Sequence, residues 1–433
     1  GVAGQGKGGR TMAYTMVQTP RGTKDFLPRD AQRKRWVEET LLGLFKLWSY
    51  REIVTPTMEF SDAVSAGDVT GLARNLYRFF EREGDLLALR PDATTPVARV
   101  VATRLRDQPK PIRLCYSANV FRYAEPQAGR RREFYQAGVE LVGSSSYLAD
   151  AEVVALAVKA LKAVGLKDFR VDIGQIDYYD GIIQHGALSP EDRRSIRLKK
   201  DYVALGKLLA NCSLPQADRE LLQMLPDLRG GREVLQEALG RATNPVSQRA
   251  IENLAAIYDV LEAYDLAHWV QVDLGMIKDI EYYTGMVLEA YTADMGFTMG
   301  TGGRYDNLIN QFGYQCPATG FALGIERIML ALSRQAGWPA SDSQRVLCIK
   351  LREAPGLGWQ VAQHLRQRGF TVELDVVERS EAEAQVYAQA TDFHWVISPR
   401  SLEQIQVWTP EAGWRTMDLA ALVASLEGGE SRG

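Results

Sequence analysis

Polar side chains on one predicted strand are the strongest indication of chemistry in this chain of 433 residues. In the strand that ends near Val142, Arg132, Gln136 and Glu140 alternate with apolar residues. Because successive side chains of a strand point to opposite faces, these three should share one face. Such a face either lines a polar pocket or is the solvated side of a half-exposed sheet, and alternation by itself favours the solvated side.

The arginine-rich loop before this strand favours the pocket. It joins two predicted strands within residues 112–142, and it carries three consecutive arginines that end at Arg132, with Arg122 on its other side. Planar guanidinium groups bind phosphate or carboxylate through paired hydrogen bonds, and solubility alone does not need so many in one hairpin. Arg327 is a further candidate, because it lies in a predicted apolar helix, where a charge needs a partner or an anionic ligand.

A second group of polar residues follows a short predicted strand that runs to Arg90. A turn then carries Asp92 and Thr94, and a helix is predicted to start with Thr95 as its cap and Pro96 in its first turn. Ligand contacts often lie at such junctions between elements. An equally good interpretation is that these polar side chains only shape the turn and the cap.

Tyrosines and glycines in the later part of the chain could also line a pocket. Tyr282 and Tyr283 are adjacent, so in a strand only one of them can face a given side. The glycines from Gly300 to Gly303 allow close approach of a ligand or a neighbouring strand, although a tight turn is the favoured explanation. A helix is predicted to begin near Phe321.

Composition limits the class of protein. The net charge is only −3, so no global field draws the chain onto nucleic acid or an anionic membrane, and no apolar run is long enough to span a bilayer. The four cysteines are far apart and the four histidines are isolated, which argues against a disulfide framework or a metal site. We therefore expect a cytoplasmic protein without a metal or a cofactor.

The chain is long enough for two or three domains, and its patterns change along its length. The predicted segments are a flexible leader at 1–18, a large domain at 19–335 with a helical insertion at about 186–265, and a small α/β domain at 345–428. The small domain follows from a β-α-β-α-β run in which Ser380 caps a helix and Glu383 completes a capping box.

Several runs of this sequence, in the same order, resemble class II aminoacyl-tRNA synthetases, and specifically the histidyl-tRNA synthetase family. They are TPRGTKDFLP, ALRPDATTP, NVFRYAEPQAGRRREFYQAGVE, YYTGMVLE, GGRYDNL and GFALGIER, and they extend from about Thr19 to Leu332. The resemblance implies an α+β fold with an antiparallel sheet flanked by helices. It also implies a dimer interface at the first helix and the strand at Pro56, and a small C-terminal domain similar to a truncated anticodon-binding domain.

The sequence is most similar to a related family, the regulatory subunits of ATP phosphoribosyltransferase, in runs such as FRYAEPQAGRRREFYQAGVELVG and EYYTGMVLEAY. This resemblance implies a non-catalytic subunit that joins a short-form catalytic subunit in a hetero-oligomer. The complex would perform the first step of histidine synthesis under feedback inhibition by histidine. The alternatives are an active histidyl-tRNA synthetase and a synthetase-like enzyme that makes another amide or acyl-adenylate.

The family pattern also implies a histidine site. Its residues in this chain are Asp92, Thr94, Arg122, Gln136, Glu140, Lys278, Tyr282, Tyr283 and Tyr305. In this pattern Asp92 and Thr94 take the ammonium group of the ligand, and Tyr283 and Tyr305 wall the imidazole. The predicted contacts for phosphate or another anion are Arg122, Arg132 and Arg327.

Two departures from the synthetase pattern favour the regulatory role. Synthetases have Arg-Gly-Leu-Asp-Tyr-Tyr where this chain has Lys278 and Asp279, so a point charge replaces a guanidinium fork and a negative charge is added beside it. After Arg122 the family pattern has His-Glu-Arg-Pro, and here Ala124 replaces the acid. Each lost charge contact to a transition state costs roughly a hundredfold in rate.

Overall fold

The computed structural model describes residues 17–65, 73–123, 131–185, 207, 209–210, 213–276, 283–293, 295–335, 337–339 and 344–428. The chain divides into two compact units, Gly1–Trp338 and Pro339–Gly433. Most of the predicted leader lies outside the described residues.

The first unit combines helices with two sheets. Its helices are α1 (Pro28–Leu47), α2 (Ser61–Ser65), α3 (Thr94–Thr103), α4 (Tyr147–Ala163), α5 (Ile176–His185), α6 (Gln216–Met224), α7 (Arg232–Arg241), α8 (Pro245–Ala263) and α9 (Ile325–Gln335). Its strands are β1 (Arg51–Glu52), β2 (Met58–Phe60), β3 (Arg78–Phe80), β4 (Leu86–Leu89), β5 (Ile112–Phe121), β6 (Glu133–Val142), β7 (Arg170–Gln175), β8 (Arg229–Gly230), β9 (Val270–Asp273), β10 (Met286–Tyr291), β11 (Gly300–Arg304) and β12 (Ala318–Gly324).

The large sheet carries the site described below. Within the described residues its strand order is β1-β5-β6-β12-β11-β10-β7-β9-β8, and neighbours run antiparallel except in the pairs β1–β5 and β7–β9. Ala137 and Val139 of β6 point into a core that Leu41 and Phe45 of α1 also fill. Val142, on the opposite face of β6, packs with residues of α3. The predicted antiparallel sheet flanked by helices is therefore confirmed.

The helical insertion is tied to this sheet at one edge. Its described part contains α6, α7 and α8, and β8 pairs antiparallel with β9. Leu254 and Leu261 of α8 are fully buried in the same core as α1 and β6. The start predicted for the insertion, at about residue 186, lies outside the described residues.

The chain around Pro56 forms two short strands, whereas the sequence predicted one strand that ends at this proline. β1 and β2 lie on either side of that proline, and β2 pairs with β4. Proline has no backbone N–H to donate to a ladder. The carbonyl of Thr55 instead accepts a 2.8 Å hydrogen bond from the guanidinium of Arg90, so this connection is held by a side chain.

Two predictions about the glycine-rich part of the sheet were wrong. Residues predicted to start a helix near Phe321 form β12, which is hydrogen-bonded to β6 and β11 on its two sides, and α9 begins only at Ile325. The glycines predicted to form a tight turn lie in β11. A Cβ at Gly302 would lie 2.4 Å from the carbonyl oxygen of Gly320, so glycine allows the two strands to approach closely.

The second unit is a small α/β domain, as predicted. Its elements are β13 (Arg345–Cys348), α10 (Pro355–Arg366), β14 (Thr371–Leu374), α11 (Glu381–Ala390), β15 (Trp395–Pro399), β16 (Ile405–Thr409), β17 (Gly413–Met417) and α12 (Leu419–Gly428), with strand order β14-β13-β15-β16-β17. Helices α10 and α12 share one core and α11 another. The predicted capping box of Ser380 and Glu383 is confirmed.

Candidate functional site

A cavity of ≈ 630 Å³ lies over the polar face of the large sheet. This volume is typical of a small-molecule site. The residues of the predicted histidine site that line it are Asp92, Thr94, Arg122, Gln136, Glu140, Tyr283 and Tyr305. Lys278 and Tyr282, which complete that set, lie outside the described residues.

Glu140 is the centre of the acidic end of the cavity. Its side chain projects from β6, and the residue is only 1% exposed. Oε1 accepts hydrogen bonds from the hydroxyls of Thr94 (2.8 Å) and Tyr116 (3.3 Å), and Oε2 accepts one from Tyr305. Burial raises the pKa of this carboxyl to about 7, although the three hydroxyl donors favour its charged form.

The strand next to β6 leaves room for this carboxyl only because it carries a glycine. Gly320 on β12 is directly opposite Glu140 in the antiparallel register. A Cβ at Gly320 would lie 2.1 Å from Oε2 of Glu140 and 2.3 Å from the carbonyl oxygen of Val139. The carboxylate of Glu140 can therefore occupy this position only because residue 320 is a glycine.

Asp92 both faces the cavity and stabilises the start of helix α3, which are the two roles that its sequence position suggested. It lines the cavity, and its Oδ1 accepts a 2.7 Å hydrogen bond from the backbone N–H of Thr95. Helix α3 begins at Thr94, so Thr95 lies inside the helix and the prediction that it is the cap was wrong. The carboxylate of Asp92 instead satisfies the backbone N–H of Thr95 in the first turn. Burial raises the pKa of Asp92, and the positive charge of Arg122 acts in the opposite direction.

Tyr283 and Tyr305 form a wall of the cavity, and an ion pair between Arg304 and Asp150 fixes the backbone next to them. Tyr283 and Tyr305 are 6% and 3% exposed. Arg304, next to Tyr305, places its Nε 3.0 Å from Oδ2 of Asp150 on α4, and its carbonyl oxygen accepts a 2.8 Å hydrogen bond from the N–H of Thr284. Sequence analysis missed this buried pair, since nothing in the spacing of the two residues indicates that they meet.

The other end of the cavity is basic and aromatic. Arg327 of α9 donates to the carbonyl oxygen of Thr298, and its guanidinium carbon lies 5.2 Å from the centre of the Phe297 ring. Arg33 of α1 lies over the ring of Trp338 at 4.7 Å. Cations that stack on aromatic rings are held without losing their charge, so this end can attract an anionic group.

Arg122 is a cation of the cavity lining that lies near Asp92, and its side chain is held by two contacts. Its Nε donates a 2.8 Å hydrogen bond to the carbonyl oxygen of Pro91, and its guanidinium carbon lies 5.2 Å from the ring centre of Phe134. Phe134 lines the cavity together with Gln136 and Glu140. Alternation along β6 could have found Phe134, since it has the same parity.

Arg132 is the predicted anion contact that the structure does not bring to the cavity lining. Its guanidinium carbon lies 4.4 Å from the ring centre of Tyr123, and its backbone N–H donates to Gly22. The antiparallel pairing does extend to Arg132, whose carbonyl oxygen accepts a 2.8 Å hydrogen bond from the N–H of Arg122, but its guanidinium lies against Tyr123. Arg131 lines the cavity instead.

One acceptor of the cavity lining has no hydrogen-bond partner among the described residues. Oε1 of Gln136 is buried and unpaired. Burying an unsatisfied polar atom is unfavourable, so this oxygen is ready to accept a hydrogen bond from a ligand. Together with the carboxylates of Asp92 and Glu140, it gives the cavity lining several acceptors for a ligand with N–H donors.

The described residues lack two kinds of feature. They contain no group of three or more histidine, cysteine, aspartate or glutamate side chains placed to hold a metal ion. No helix among them combines the length and the apolar character required to cross a bilayer.

Comparison with known proteins relates this geometry to two named groups. Residues 22–328 match the family model described as histidyl-tRNA synthetase. The ATP phosphoribosyltransferase regulatory subunit of Moorella thermoacetica is 43% identical over 88% of this chain and 98% of its own length. The protein of the same name from Geobacter sulfurreducens is 38% identical over 86% of this chain and 85% of its own.

Solved structures give the same relationship. A Bacillus halodurans protein described as an ATP phosphoribosyltransferase regulatory subunit/histidyl-tRNA synthetase is 32% identical and matches with a TM-score of 0.78, over 88% of this chain and 98% of that one. The histidyl-tRNA synthetase from Nostoc sp. matches with a TM-score of 0.80 over 95% of this chain and 99% of that one. At 20% identity, this second likeness shows a shared fold.

Proposed function

Because this chain belongs to the family of ATP phosphoribosyltransferase regulatory subunits, which share the histidyl-tRNA synthetase domain, we propose that it regulates an ATP phosphoribosyltransferase and binds histidine in the cavity of its large sheet. In this proposal the chain joins a short-form catalytic subunit in a hetero-oligomer. That complex condenses ATP with phosphoribosyl pyrophosphate in the first step of histidine synthesis, in the cytoplasm.

The observation that carries histidine binding is the buried acidic end of the cavity. Glu140 is 1% exposed and Asp92 is 6% exposed, and the unpaired Oε1 of Gln136 lies in the same lining. These acceptors suit the ammonium group of an amino acid, and the rings of Tyr283 and Tyr305 give a wall against which an imidazole can pack. An ion pair of this kind is favourable where rigid strands fix its geometry.

Regulation requires that histidine bind the active and the inhibited arrangement of the complex with different affinity. We propose that occupancy of the cavity favours the inhibited arrangement. The predicted anion contacts Arg122 and Arg327 lie in the lining and can attract the carboxylate of the amino acid or a phosphate, and Arg132 is the weaker candidate because it is not among the lining residues.

We further propose that the chain does not charge tRNA. The support comes from the sequence, in which Lys278 and Ala124 replace the arginine and the acid of the synthetase pattern. Both residues lie outside the described part of the chain. Since a synthetase must stabilise charge on the α-phosphate of ATP, loss of two preorganised charges would slow it by roughly ten-thousandfold.

Self-association as a dimer is supported by exposed apolar residues around Pro56 and at the end of α1. Leu47 is 84% exposed, Val54 is 86% exposed and Phe60 is 59% exposed. Several large apolar side chains this exposed in one segment are typical of a contact surface. We propose that two copies pair through this surface.

Reconstitution tests the proposed role. The chain is mixed with a short-form catalytic subunit, and formation of phosphoribosyl-ATP is measured with and without histidine. We expect activity only in the mixture, and inhibition by histidine that Asp92→Ala weakens, while the exposed control Asp107→Ala behaves as wild type. Full activity of the catalytic subunit alone would refute the role, and equal inhibition of wild type and Asp92→Ala would refute the site.

The synthetase alternative has its own assay. Histidine-dependent exchange of pyrophosphate into ATP, followed by charging of tRNA, is measured with the pure chain. Robust exchange and charging would establish the alternative, and exchange supported by another carboxylic acid would indicate a different acyl-adenylate.

A further inference from the structure

Strand β2 has an apolar outer side and a charged inner side. Met58 and Phe60 are 53% and 59% exposed, whereas Glu59 between them is only 8% exposed. The antiparallel register places Phe60, Leu87 and Phe79 side by side on the outer face of the small sheet. Phe60 also belongs to the surface through which we propose that two copies pair, so β2 takes part in that contact.

The position of β2 is weakly determined by its own sheet. The strand has three residues and lies at an edge, and among the described strands it pairs only with β4. A short edge strand has few ladder hydrogen bonds and low local stability, so the contacts on its two faces decide how firmly it is held. Burial of Met58 and Phe60 against a second copy would therefore fix β2 in one position.

The inner side of β2 is bound to helix α3 by an ion pair. Oε2 of Glu59 accepts a 2.8 Å hydrogen bond from Nε of Arg99, and Oε1 accepts a 2.7 Å hydrogen bond from Nη2 of the same guanidinium. Two parallel hydrogen bonds fix the orientation of the two groups as well as their distance. The side chain of Glu59 is only 7% exposed, so water screens this pair less than it screens a surface pair. Strand β2 and helix α3 should therefore move together.

Helix α3 carries predicted histidine contacts at its N-terminal end. Thr94 is the first residue of this helix, and Arg99 lies in its middle. Asp92, in the preceding turn, accepts a 2.7 Å hydrogen bond from the backbone N–H of Thr95. The family pattern assigns the ammonium group of histidine to Asp92 and Thr94. Since a helix is a rigid element, a displacement of Arg99 also displaces these two contacts.

A second connection joins the segment before β2 to the same turn. Arg90 is 5% exposed, and its guanidinium donates a 2.8 Å hydrogen bond to the carbonyl oxygen of Thr55 and a 2.7 Å hydrogen bond to that of Asn119. Its backbone N–H donates a 3.0 Å hydrogen bond to the carbonyl oxygen of Thr57. The segment that leads into β2 is therefore held to the chain that leads into Asp92.

We propose that the ion pair between Glu59 and Arg99 couples self-association to histidine binding. Pairing of two copies fixes β2, the ion pair holds α3 against β2, and α3 then presents Asp92 and Thr94 in the geometry that binds the ammonium group. The inference rests on the proposed function, because it takes the histidine site and the pairing surface from there. Glu59 and Arg99 are positioning residues, since neither is among the residues that line the cavity. Coupling between two binding events is reciprocal, so histidine strengthens association by the same factor by which association strengthens histidine binding.

Histidine binding measured at protein concentrations far above and far below the dimer dissociation constant tests the coupling. We expect the dimer to bind histidine about tenfold more tightly than the monomer, which is within the usual range for coupled sites. In light scattering, saturating histidine should lower the dimer dissociation constant by about the same factor. Where wild type does not dissociate on dilution, Phe60→Asp supplies the affinity of the monomer, because its charge weakens the pairing surface.

Variants of Arg99 separate the coupling from a general loss of structure. Arg99→Gln removes the ion pair and should bring the ratio of the two histidine affinities to about twofold or less, whereas Arg99→Lys keeps the charge without the fork and should give an intermediate ratio. Arg104→Gln, at the exposed end of the same helix, is the matched control and should keep the ratio of wild type. A variant that only damaged the site would weaken histidine binding equally in both states and leave the ratio unchanged.

The outcomes distinguish the coupling from the proposed function. Equal histidine affinities of the wild-type monomer and dimer, or a wild-type ratio that persists in Arg99→Gln, would overturn the coupling and leave the histidine site standing. Absence of histidine binding by wild type would overturn the site and the coupling with it. A wild type that stays monomeric at all concentrations would overturn the pairing surface and the coupling.

Discussion

The hydroxyl of Thr94 donates a 2.8 Å hydrogen bond to Oε1 of Glu140, which links the first turn of α3 to the middle of the large sheet. The two residues are 46 positions apart in the sequence. The bond fixes the acidic end of the cavity between a helix start and a strand. Displacement of either α3 or β6 therefore changes the position of the carboxylate. The affinity for a ligand bound there then depends on how the two elements are arranged.

Replacement of this carboxylate should weaken histidine binding. Glu140→Gln keeps the size of the side chain and removes a negative charge from the acidic end of the cavity. We expect a loss of about 3 kcal/mol, or roughly a hundredfold in Kd, measured by calorimetry. Glu39→Gln on the exposed side of α1 is the matched control and should bind as wild type does. An unchanged Kd in Glu140→Gln would show that histidine binding does not depend on this carboxylate.

A methyl group at Gly320 should disturb the site from the neighbouring strand. Gly320→Ala brings a Cβ to 2.1 Å from Oε2 of Glu140, so the carboxylate has to move. We expect the free energy of unfolding to fall by about 2 kcal/mol in urea denaturation, with a loss of histidine binding. Gly240→Ala in α7, where no atom lies within 4 Å of the added Cβ, should be neutral or slightly stabilising. Normal stability and binding in Gly320→Ala would contradict the packing described above.

The stability of the ligand-free protein should carry a pH dependence due to Glu140. Its pKa is about 7 in the folded chain against an ordinary value of 4.5, so the folded state holds the proton more tightly than the unfolded state. The resulting stabilisation is complete below pH 4.5 and is lost as pH rises through about 7. It amounts to roughly 3 kcal/mol.

Urea denaturation of wild type and Glu140→Gln across this pH range measures the effect. The free energy of unfolding of wild type should fall relative to that of the variant between the acidic and the neutral end. Parallel pH profiles of the two proteins would show that the carboxyl titrates at its ordinary pKa in the folded chain.

The exposed apolar surface near Pro56 should govern self-association. Phe60→Asp puts a charge on a side chain that is 59% exposed in the single chain, and a buried contact would not tolerate it. We expect the dimer dissociation constant to rise by roughly thirtyfold or more, measured by light scattering after size-exclusion chromatography. Val386→Asp in α11, where the side chain is 68% exposed, serves as control. Identical masses for both variants and wild type would exclude this surface.

Local sequence patterns were sufficient to predict features that depend on a single helix or strand. The capping box at Ser380 and the alternation along β6 each depend on neighbours within a few residues, and both are found in the structure. The polar face of β6 was recognised from the same alternation. The family resemblance added Asp92, Tyr283 and Tyr305, which that alternation could not connect to it.

Errors arose where a distant strand overrides the local preference. The run that contains Phe321 is apolar and flanks a helix, and its strand conformation follows from pairing with β6 and β11 on both sides. For Arg132, the structure places the guanidinium over the ring of Tyr123 and not in the cavity lining. Partners elsewhere in the chain decide both outcomes.

The sequence by itself determined the family, the α+β class and most of the polar residues of the cavity, because these are carried by motifs and by short-range periodicity. Tertiary structure alone decided which of those side chains meet and what charge they hold. The pKa of Glu140 depends on burial, on Thr94, Tyr116 and Tyr305, and on the close strand at Gly320, which come from separate parts of the chain. Desolvation is a property of the enclosed space, so no local pattern can encode it.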